Sequence, residues 1–189
     1  GVHPRTGLVT ASDQQGNFVP STPIYVIREG DYFGVPATAH GAPQAEITLP
    51  LTWIPHTVDQ SGAGQVWITS DKMGGLNGSL VHLSYGRPGL FRVYIDSTQS
   101  VWQGAVVALP GEYRTPALKG AVSPVDGQLY VAGFQIWGSK AKDIRSGGIM
   151  RGPHERSTNR STRPREGPAR FPRLRPAGAG RAIDQEHQL

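Results

Sequence analysis

The chain has 189 residues, of which 37% are hydrophobic and 17% charged, with 25 glycines, 16 prolines and no cysteine. The lack of cysteine excludes disulfides, thiolate metal sites and a cysteine nucleophile. Frequent Gly and Pro favour short strands and turns over long helices. The sequence has no apolar run that could span a bilayer and no signal peptide. It starts at Gly1 inside what reads as a structured motif, so we expect the natural protein to begin upstream.

The net charge of +5 is unevenly distributed along the chain. Residues 1–144 hold 9 Lys and Arg against 10 Asp and Glu, whereas residues 145–189 hold 10 Arg against 4 Asp and Glu. The nearly neutral first part gives no electrostatic reason for a nucleic-acid partner. The sequence therefore predicts a folded body over 1–144 and a distinct tail over 145–189.

The tail is rich in Arg, Pro and Gly and has a single aromatic residue, Phe171. Such a composition buries too little apolar surface to offset the entropy of the chain, which predicts disorder. Two other interpretations stay open. Arg, Pro, Gly and Ala have GC-rich codons, so the end of a GC-rich gene translated in a shifted reading frame would give a similar amino-acid sequence. An arginine-rich arm for an anionic partner would also fit.

The body consists of short segments rich in β-branched and aromatic residues, most of them bounded by Gly, Pro, Asp or Asn. No segment has a convincing helical periodicity, so the sequence predicts an all-β fold. The predicted strands are residues 7–12, 23–29, 65–71, 79–85, 90–96, 103–109 and 128–134.

A weak internal repeat relates "GVHPRTGLVTA" at 1–11 to "AVSPVDGQLYVA" at 121–132. Each copy predicts a strand, a tight turn containing Pro and Gly, and a second strand. The blades of β-propellers are four-stranded units of about 40–50 residues, so the body would hold roughly two to three blades. A β-sandwich would show similar strands, and the repeat slightly favours a partial β-propeller.

Three blocks carry a resemblance to a known family, namely "REGDYFGVP" at 28–36, "LTWIPH" at 51–56 and "SPVDGQLYV" at 123–131. Their order, over about residues 1–138, resembles the closing blades of the six-bladed β-propellers of soluble glucose and sorbosone dehydrogenases, which use pyrroloquinoline quinone (PQQ). In particular, it resembles the variant found in large exported bacterial proteins, often joined to a c-type haem domain. The resemblance implies a fragment of a PQQ-dependent sugar or aldose dehydrogenase-like propeller, inactive on its own.

The resemblance also implies a metal site. In the family, the loop that matches residues 13–17 offers backbone carbonyls to a Ca²⁺ ion that bridges the quinone. This implies Asp13, Gln15, Gly16 and Asn17 as candidate ligands. Carbonyl and carboxylate oxygens suit such a hard cation. A simple polar turn between two strands is the alternative interpretation of the same residues.

Three residues are implied as cofactor ligands. Trp53 lies where the family places an aromatic side chain against the flat quinone. Arg87 lies near a family lysine that contacts the quinone carboxylates, and Lys119 remains where the family has an Arg-x-Arg pair. A core tryptophan and a solvated arginine are the alternatives. His56 is a candidate proton carrier or metal ligand, with a structural role as its alternative.

No catalytic residue is assigned. The family's general base is a histidine in an early blade, and none of His3, His40, His56 and His82 matches that block. The resemblance implies a sugar or alcohol substrate, an acceptor such as a c-type cytochrome, haem c in a separate domain, and export to the periplasm. A non-catalytic propeller that binds carbohydrate or protein partners stays open, and the loss of the Arg-x-Arg pair favours it.

Overall fold

The computed structural model describes residues 1–16, 19–34, 46–98, 101–135, 137–141 and 147–153. These residues form ten β-strands in three antiparallel sheets, together with the 3-10 helix Asp71–Leu76. The described part of the chain is therefore nearly all β, which confirms the predicted fold class. No helix in these ranges combines the length and apolar character needed to cross a membrane.

The three sheets follow one another along the chain. The first sheet contains β1 (Val9–Ser12), β2 (Thr22–Ile27) and β3 (Thr52–Ile54). The second contains β4 (Gly62–Trp67), β5 (Leu80–Ser84), β6 (Gly89–Asp96) and β7 (Gln103–Ala108). The third contains β8 (Lys119–Val122), β9 (Leu129–Gly133) and β10 (Gly148–Arg151). Each sheet pairs consecutive strands, as the blade of a β-propeller does.

Neighbouring blades meet along their innermost strands. The amide of Gly64 on β4 donates a hydrogen bond to the carbonyl of Leu118, just before β8, at 3.0 Å. A Cβ at position 64 would lie 2.7 Å from the same carbonyl oxygen, so glycine is what permits this approach. In the first blade, Val2 bridges to Val9 of β1 and takes the place of an innermost strand. The arrangement is a partial β-propeller.

Apolar side chains fill the space between the blades. Because alternate residues of β5 face opposite sides, Leu80 packs towards the first blade and Val81 towards the third. The first interface buries Ile24, Val26, Leu51, Ile54, Leu80 and Val93. The second interface buries Ile68, Met73, Leu76, Val81, Leu83, Leu90, Ala117, Leu129 and Val131. Each fully buried side chain of this kind contributes about 1.5–3 kcal/mol, so stacking between blades is a major source of stability.

The predicted internal repeat is a turn that occurs twice. The residue before each proline caps the turn with its side chain. Nδ1 of His3 accepts two backbone N–H groups at 3.2 Å, and Oγ of Ser123 accepts two at 3.2 and 3.4 Å. Gly7 and Gly127 follow with φ of 72° and 68°, a left-handed conformation that favours glycine. The predicted strand, turn and strand are confirmed in the second copy, between β8 and β9, whereas in the first copy the turn is followed by β1 and preceded only by the isolated bridge of Val2.

The end of β8 lies in the predicted repeat at 121–132, whereas two strands lie beyond all predicted segments. The three-residue strand β3 pairs with β2, and β10 pairs with β9 past residue 144, where the sequence predicts that the tail begins. Both strands are too short to show an alternating pattern. Residues 154–189 lie outside the described residues, so disorder, a frameshifted end or a binding arm there stays a prediction.

Candidate functional site

Connections between the described strands meet at one end of the blades, which we call the loop face. Because β4 and β8 begin at this end and β1, β5 and β9 finish there, antiparallel pairing brings these connections together. Hydrogen bonds tie them to one another. The amide of Ser61 donates to Oε1 of Gln15 at 3.0 Å, and Nε of Arg87 donates to the carbonyl of His56 at 3.2 Å. The loop face consists of residues 13–16, 19–21, 55–61, 85–88, 109–118, 134–135 and 137–141.

The predicted metal loop lies on the loop face. Oδ1 of Asp13 accepts the next backbone N–H at 2.7 Å, and the side-chain oxygen of Gln15 is held by Ser61. Gly16 is exposed, and Asn17 lies outside the described residues. Within the described ranges, no group of three or more His, Asp or Glu residues could hold a metal ion. The loop's backbone carbonyls are the type of donor that Ca²⁺ accepts.

The predicted cofactor ligands occupy two different parts of the structure. Arg87 and Lys119 lie at the loop face, between β5 and β6 and at the start of β8. Trp53, which is 47% exposed, lies on the outermost strand of the first blade, opposite Pro23. Its neighbour Ile54 packs towards the second blade. By alternation, Trp53 faces away from the blade that carries Arg87.

The loop face also holds a cleft that the sequence analysis missed, which we call the cationic cleft. One part has a volume of about 440 Å³, and an adjoining part of about 410 Å³ adds Arg87 to it. Arg87, Arg114 and Lys140 place three cations against the single carboxylate of Glu112. The cleft therefore favours an anionic ligand. Its two parts share Pro88, Gly111, Tyr113 and Lys140.

Tyr85 fixes the loops that carry this cleft. Its hydroxyl bonds to both the amide and the carbonyl of Trp137 at 3.0 Å, and the two ring centroids lie 4.9 Å apart. The hydroxyl of Ser139 donates to the carbonyl of Tyr85 at 3.0 Å. The amide of Lys140 donates to the carbonyl of Gly86 at 2.8 Å. Backbone contacts thus position Lys140, while its side chain stays exposed.

The Tyr113 hydroxyl lies in the wall of the cationic cleft. It is enclosed from solvent and has no hydrogen-bond partner among the described residues. Burial raises the pKa of Tyr113 to about 12, so the phenol keeps its proton at neutral pH. A protonated phenol both donates and accepts hydrogen bonds. The wall of the cleft thus contains a protonated phenol without a partner among the described residues.

A buried pair fixes the connection 55–61 beneath the loop face. Nε2 of His82 lies 2.9 Å from Oδ2 of Asp59, and both side chains are fully buried. Burial by itself would raise the pKa of Asp59. The hydrogen bond and charge of His82, with the hydroxyls of Ser84 and Thr22, outweigh burial and hold that pKa below its ordinary value. Asp59 is therefore ionised at neutral pH, and Nε2 of His82 donates to it.

Acid is expected to weaken the fold through Asp59. Its folded-state pKa is lowered from the ordinary 3.8, so the stability it contributes is present above pH 3.8 and is lost as the pH falls through the folded value. We expect the difference in unfolding free energy between the natural chain and Asp59→Asn to shrink below about pH 4. Urea denaturation over a pH series measures this difference. A difference that stays constant in acid would contradict the expectation.

Three solved structures with a similar fold are described as glucose dehydrogenases. One is an oxidoreductase from Thermus thermophilus described as a glucose dehydrogenase, with a TM-score of 0.55 and 19% identity, covering 79% of this chain and 43% of that one. Two further glucose dehydrogenase structures have TM-scores of 0.57 and 0.55 and identities of 18% and 17%. They cover 80% and 79% of this chain and 42% of their own. No family profile and no curated protein sequence matches the chain.

These likenesses show the fold. The chain folds like part of a glucose dehydrogenase and spans less than half the length of the structures it matches. Together with the three consecutive sheets, they confirm the predicted partial β-propeller.

Proposed function

We propose that the chain is part of a quinone-dependent sugar dehydrogenase-like propeller, and that the cationic cleft receives the carboxylates of PQQ. The observation that carries this proposal is the grouping of Arg87, Arg114 and Lys140 at the loop face of a fold shared with glucose dehydrogenases. Guanidinium groups bind carboxylates through paired, charge-assisted hydrogen bonds. Arg114 and Lys140 supply cationic charge that the sequence lacks at the Arg-x-Arg position.

We place the Ca²⁺ site of this proposal in the loop of Asp13, Gln15, Gly16 and Asn17. The described part of this loop lies on the same face as the cleft, and it offers oxygen donors suited to a hard cation. The contact between Gln15 and Ser61 holds the loop against the neighbouring blade. Metal and cofactor would thus share one face of the propeller.

When bound, the quinone supplies the oxidant for a sugar or alcohol substrate. The residues of this chain bind and orient it: the cations hold carboxylates, and the Tyr113 hydroxyl donates a hydrogen bond. Lys119, exposed at the start of β8, adds positive charge at the same face. No described histidine lines the cleft, so we place the base that takes the substrate proton outside the described residues. The proposal includes an acceptor such as a c-type cytochrome and export to the periplasm.

The 189-residue chain is expected to bind PQQ more tightly with Ca²⁺ than without it. Arg114→Gln is expected to weaken that binding about tenfold, because it removes a charge-assisted hydrogen bond. Arg151→Gln is the matched control, since Arg151 is an exposed arginine on β10 that does not line the cleft. Isothermal titration calorimetry measures both affinities. If both variants lost the same affinity for PQQ, the assignment of PQQ to the cationic cleft would be wrong. If the natural chain did not bind PQQ in the presence of Ca²⁺, the proposed cofactor would be wrong.

A second candidate function is a non-catalytic propeller that binds carbohydrate or protein partners. The sequence has a single lysine, Lys119, where the family has an Arg-x-Arg pair, and this difference favours the non-catalytic candidate. The same calorimetric titration distinguishes between the two candidate functions. Binding of a neutral oligosaccharide without binding of PQQ would support the non-catalytic module.

A further inference from the structure

The outermost strand of the second blade, β7, is covered on one face only. On the face turned to the first blade, β3 lies next to β7, and a Cβ added at Gly104 would come within 2.7 Å of Cγ of Leu51, just before β3. The residues of β7 on this face are half-buried. Those that face the third blade are exposed, namely Gln103, Ala105 and Val107.

The third blade has an unpaired strand edge beside this uncovered face. Because β8 meets β4 along the innermost strands, β9 and β10 follow outward beside β5 and β6. Within the described ranges, β10 pairs with β9 on one edge and with no strand on the other, at the position opposite β7. Alternate N–H and C=O groups of β10 therefore point away from β9. Such an edge is a template for a further strand.

We call the space between the unpaired edge of β10 and the uncovered face of the second blade the strand slot. Its floor consists of Arg92, Tyr94, Ala105 and Val107. The register places Arg92 opposite Val107 and Tyr94 opposite Ala105, so the four side chains lie on one face of the sheet. Tyr94 and Val107 are 46% and 53% exposed. This floor suits an extended chain, in which every second side chain points the same way.

Arg92 gives the floor an unpaired positive charge. Its Cζ lies 4.6 Å from the centre of the Tyr94 ring, and its Nε is enclosed from solvent and has no hydrogen-bond partner among the described residues. Arg92 belongs to neither of the ion pairs found in that part of the chain. Asp96, farther along the same face of β6, is held instead by Thr98 and Gln103 at 2.8 and 3.0 Å. A carboxylate from a ligand would therefore complement Arg92.

Charge distinguishes between the possible occupants of the strand slot. Residues 154–189 of this chain hold eight Arg against four Asp and Glu, so their net charge has the same sign as Arg92. In a second copy of the chain, the sequence of β10 is GIMR and contains no carboxylate. An acidic segment of another polypeptide is the occupant that this charge favours.

We propose that the strand slot binds an extended acidic segment of a partner protein, which adds a fourth strand to the third blade. The backbone of the segment pairs with β10, as in other cases of strand addition. Antiparallel to β10, the segment places a carboxylate over Arg92 and Tyr94, and an apolar side chain two residues later over Val107. The proposal is independent of the proposed quinone function, because it uses none of the residues of the cationic cleft.

The first test measures amide exchange of the ¹⁵N-labelled 189-residue chain by NMR without any ligand. We expect the amides of β10 that point away from β9 to exchange much faster than those paired with it. Slow exchange of all β10 amides at every protein concentration would identify the chain itself as the occupant. Slow exchange that appears only at high concentration would identify a second copy. Either result would overturn the proposal.

The second test titrates the chain with the peptide acetyl-STVTETVTS-amide, whose valines and glutamate share one face of an extended strand. We expect saturable binding that slows exchange of the outward amides of β10. The peptide with glutamine in place of glutamate is expected to bind about tenfold more weakly. A peptide N-methylated at two adjacent central residues keeps every side chain but loses backbone N–H groups, and it is expected not to bind. No binding of the first peptide, or equal binding of the N-methylated one, would refute the strand addition.

Substitutions in the floor test the assignment of the slot. Arg92→Gln is expected to weaken binding of the glutamate peptide about tenfold and to leave binding of the glutamine peptide unchanged. Val107→Ser is expected to weaken binding of both peptides about fivefold, because it removes an apolar contact. Val125→Ser is the matched control, since Val125 is 94% exposed in the turn between β8 and β9.

Circular dichroism checks that each variant is folded. If Arg92→Gln does not fold, the comparison of Val107→Ser with Val125→Ser decides the matter. Equal affinities in these two variants, or unchanged affinity in folded Arg92→Gln, would refute the assignment of the floor.

Discussion

Replacing Asp59 by alanine is expected to lower the free energy of unfolding by about 3–5 kcal/mol. Asp59 is fully buried and accepts a 2.9 Å hydrogen bond from His82, which is also fully buried. Without the carboxylate, His82 keeps a buried N–H with no acceptor. Domains are stabilised by only about 5–15 kcal/mol in total, so this one change removes a large part of the stability.

Two control variants distinguish the effect of breaking the pair of Asp59 and His82 from a general effect of losing a carboxylate. Glu29→Ala removes an exposed carboxylate that has no partner within the described ranges, and it is expected to change stability by less than about 0.5 kcal/mol. The double variant Asp59→Leu with His82→Leu removes both polar groups and is expected to cost less than the sum of the single changes. Urea denaturation measures the free energy of unfolding of each variant. A loss below about 1 kcal/mol in Asp59→Ala would show that the buried pair does not matter to the fold.

Gly64→Ala is expected to destabilise the contact between the second and third blades by about 1–3 kcal/mol. The new Cβ would lie 2.7 Å from the carbonyl oxygen of Leu118 and 3.6 Å from Cα of Lys119. Backbone atoms, unlike the end of a flexible side chain, cannot move aside cheaply. The hydrogen bond between the amide of Gly64 and Leu118, at 3.0 Å, would lengthen or break as β4 and β8 separate.

Gly138→Ala is the matched control for this prediction. Position 138 has no atom within 4 Å of an added Cβ and does not have a positive φ. Alanine there is expected to leave stability unchanged or raise it slightly, because it restricts the unfolded chain. Thermal unfolding followed by circular dichroism compares the two variants. Equal stability in Gly64→Ala and Gly138→Ala would contradict the close approach of the inner strands.

The sequence predicted most of the strands because their apolar runs are local and end at turn residues. β5, β6, β7 and β9 lie within one or two residues of their predicted ranges. The start of β4 was not predicted, since the sequence "GAG" at 62–64 is typical of a turn. The need for glycine at position 64 follows from its contact with Leu118, which is distant in the sequence.

The candidate site was less predictable because it depends on contacts between separate connections. Arg87 was singled out by resemblance, and the structure places it in the cationic cleft. Arg114 and Lys140 carry no local motif, and Lys140 lies at the cleft because Tyr85 binds Trp137 and Gly86 binds the amide of Lys140. The pairing of Asp59 with His82, 23 residues apart, has no sequence signal either.

The most direct test of the proposed site is hydrogen–deuterium exchange of the 189-residue chain with and without PQQ and Ca²⁺. A quinone held by the cationic cleft is expected to slow exchange in peptides that contain residues 87–91 and 111–114, which line it. Peptides from the opposite end of the blades, such as 67–80, should exchange at the same rate in both states. Slower exchange only at that opposite end, or at neither end, would contradict the assignment of the loop face as the cofactor site.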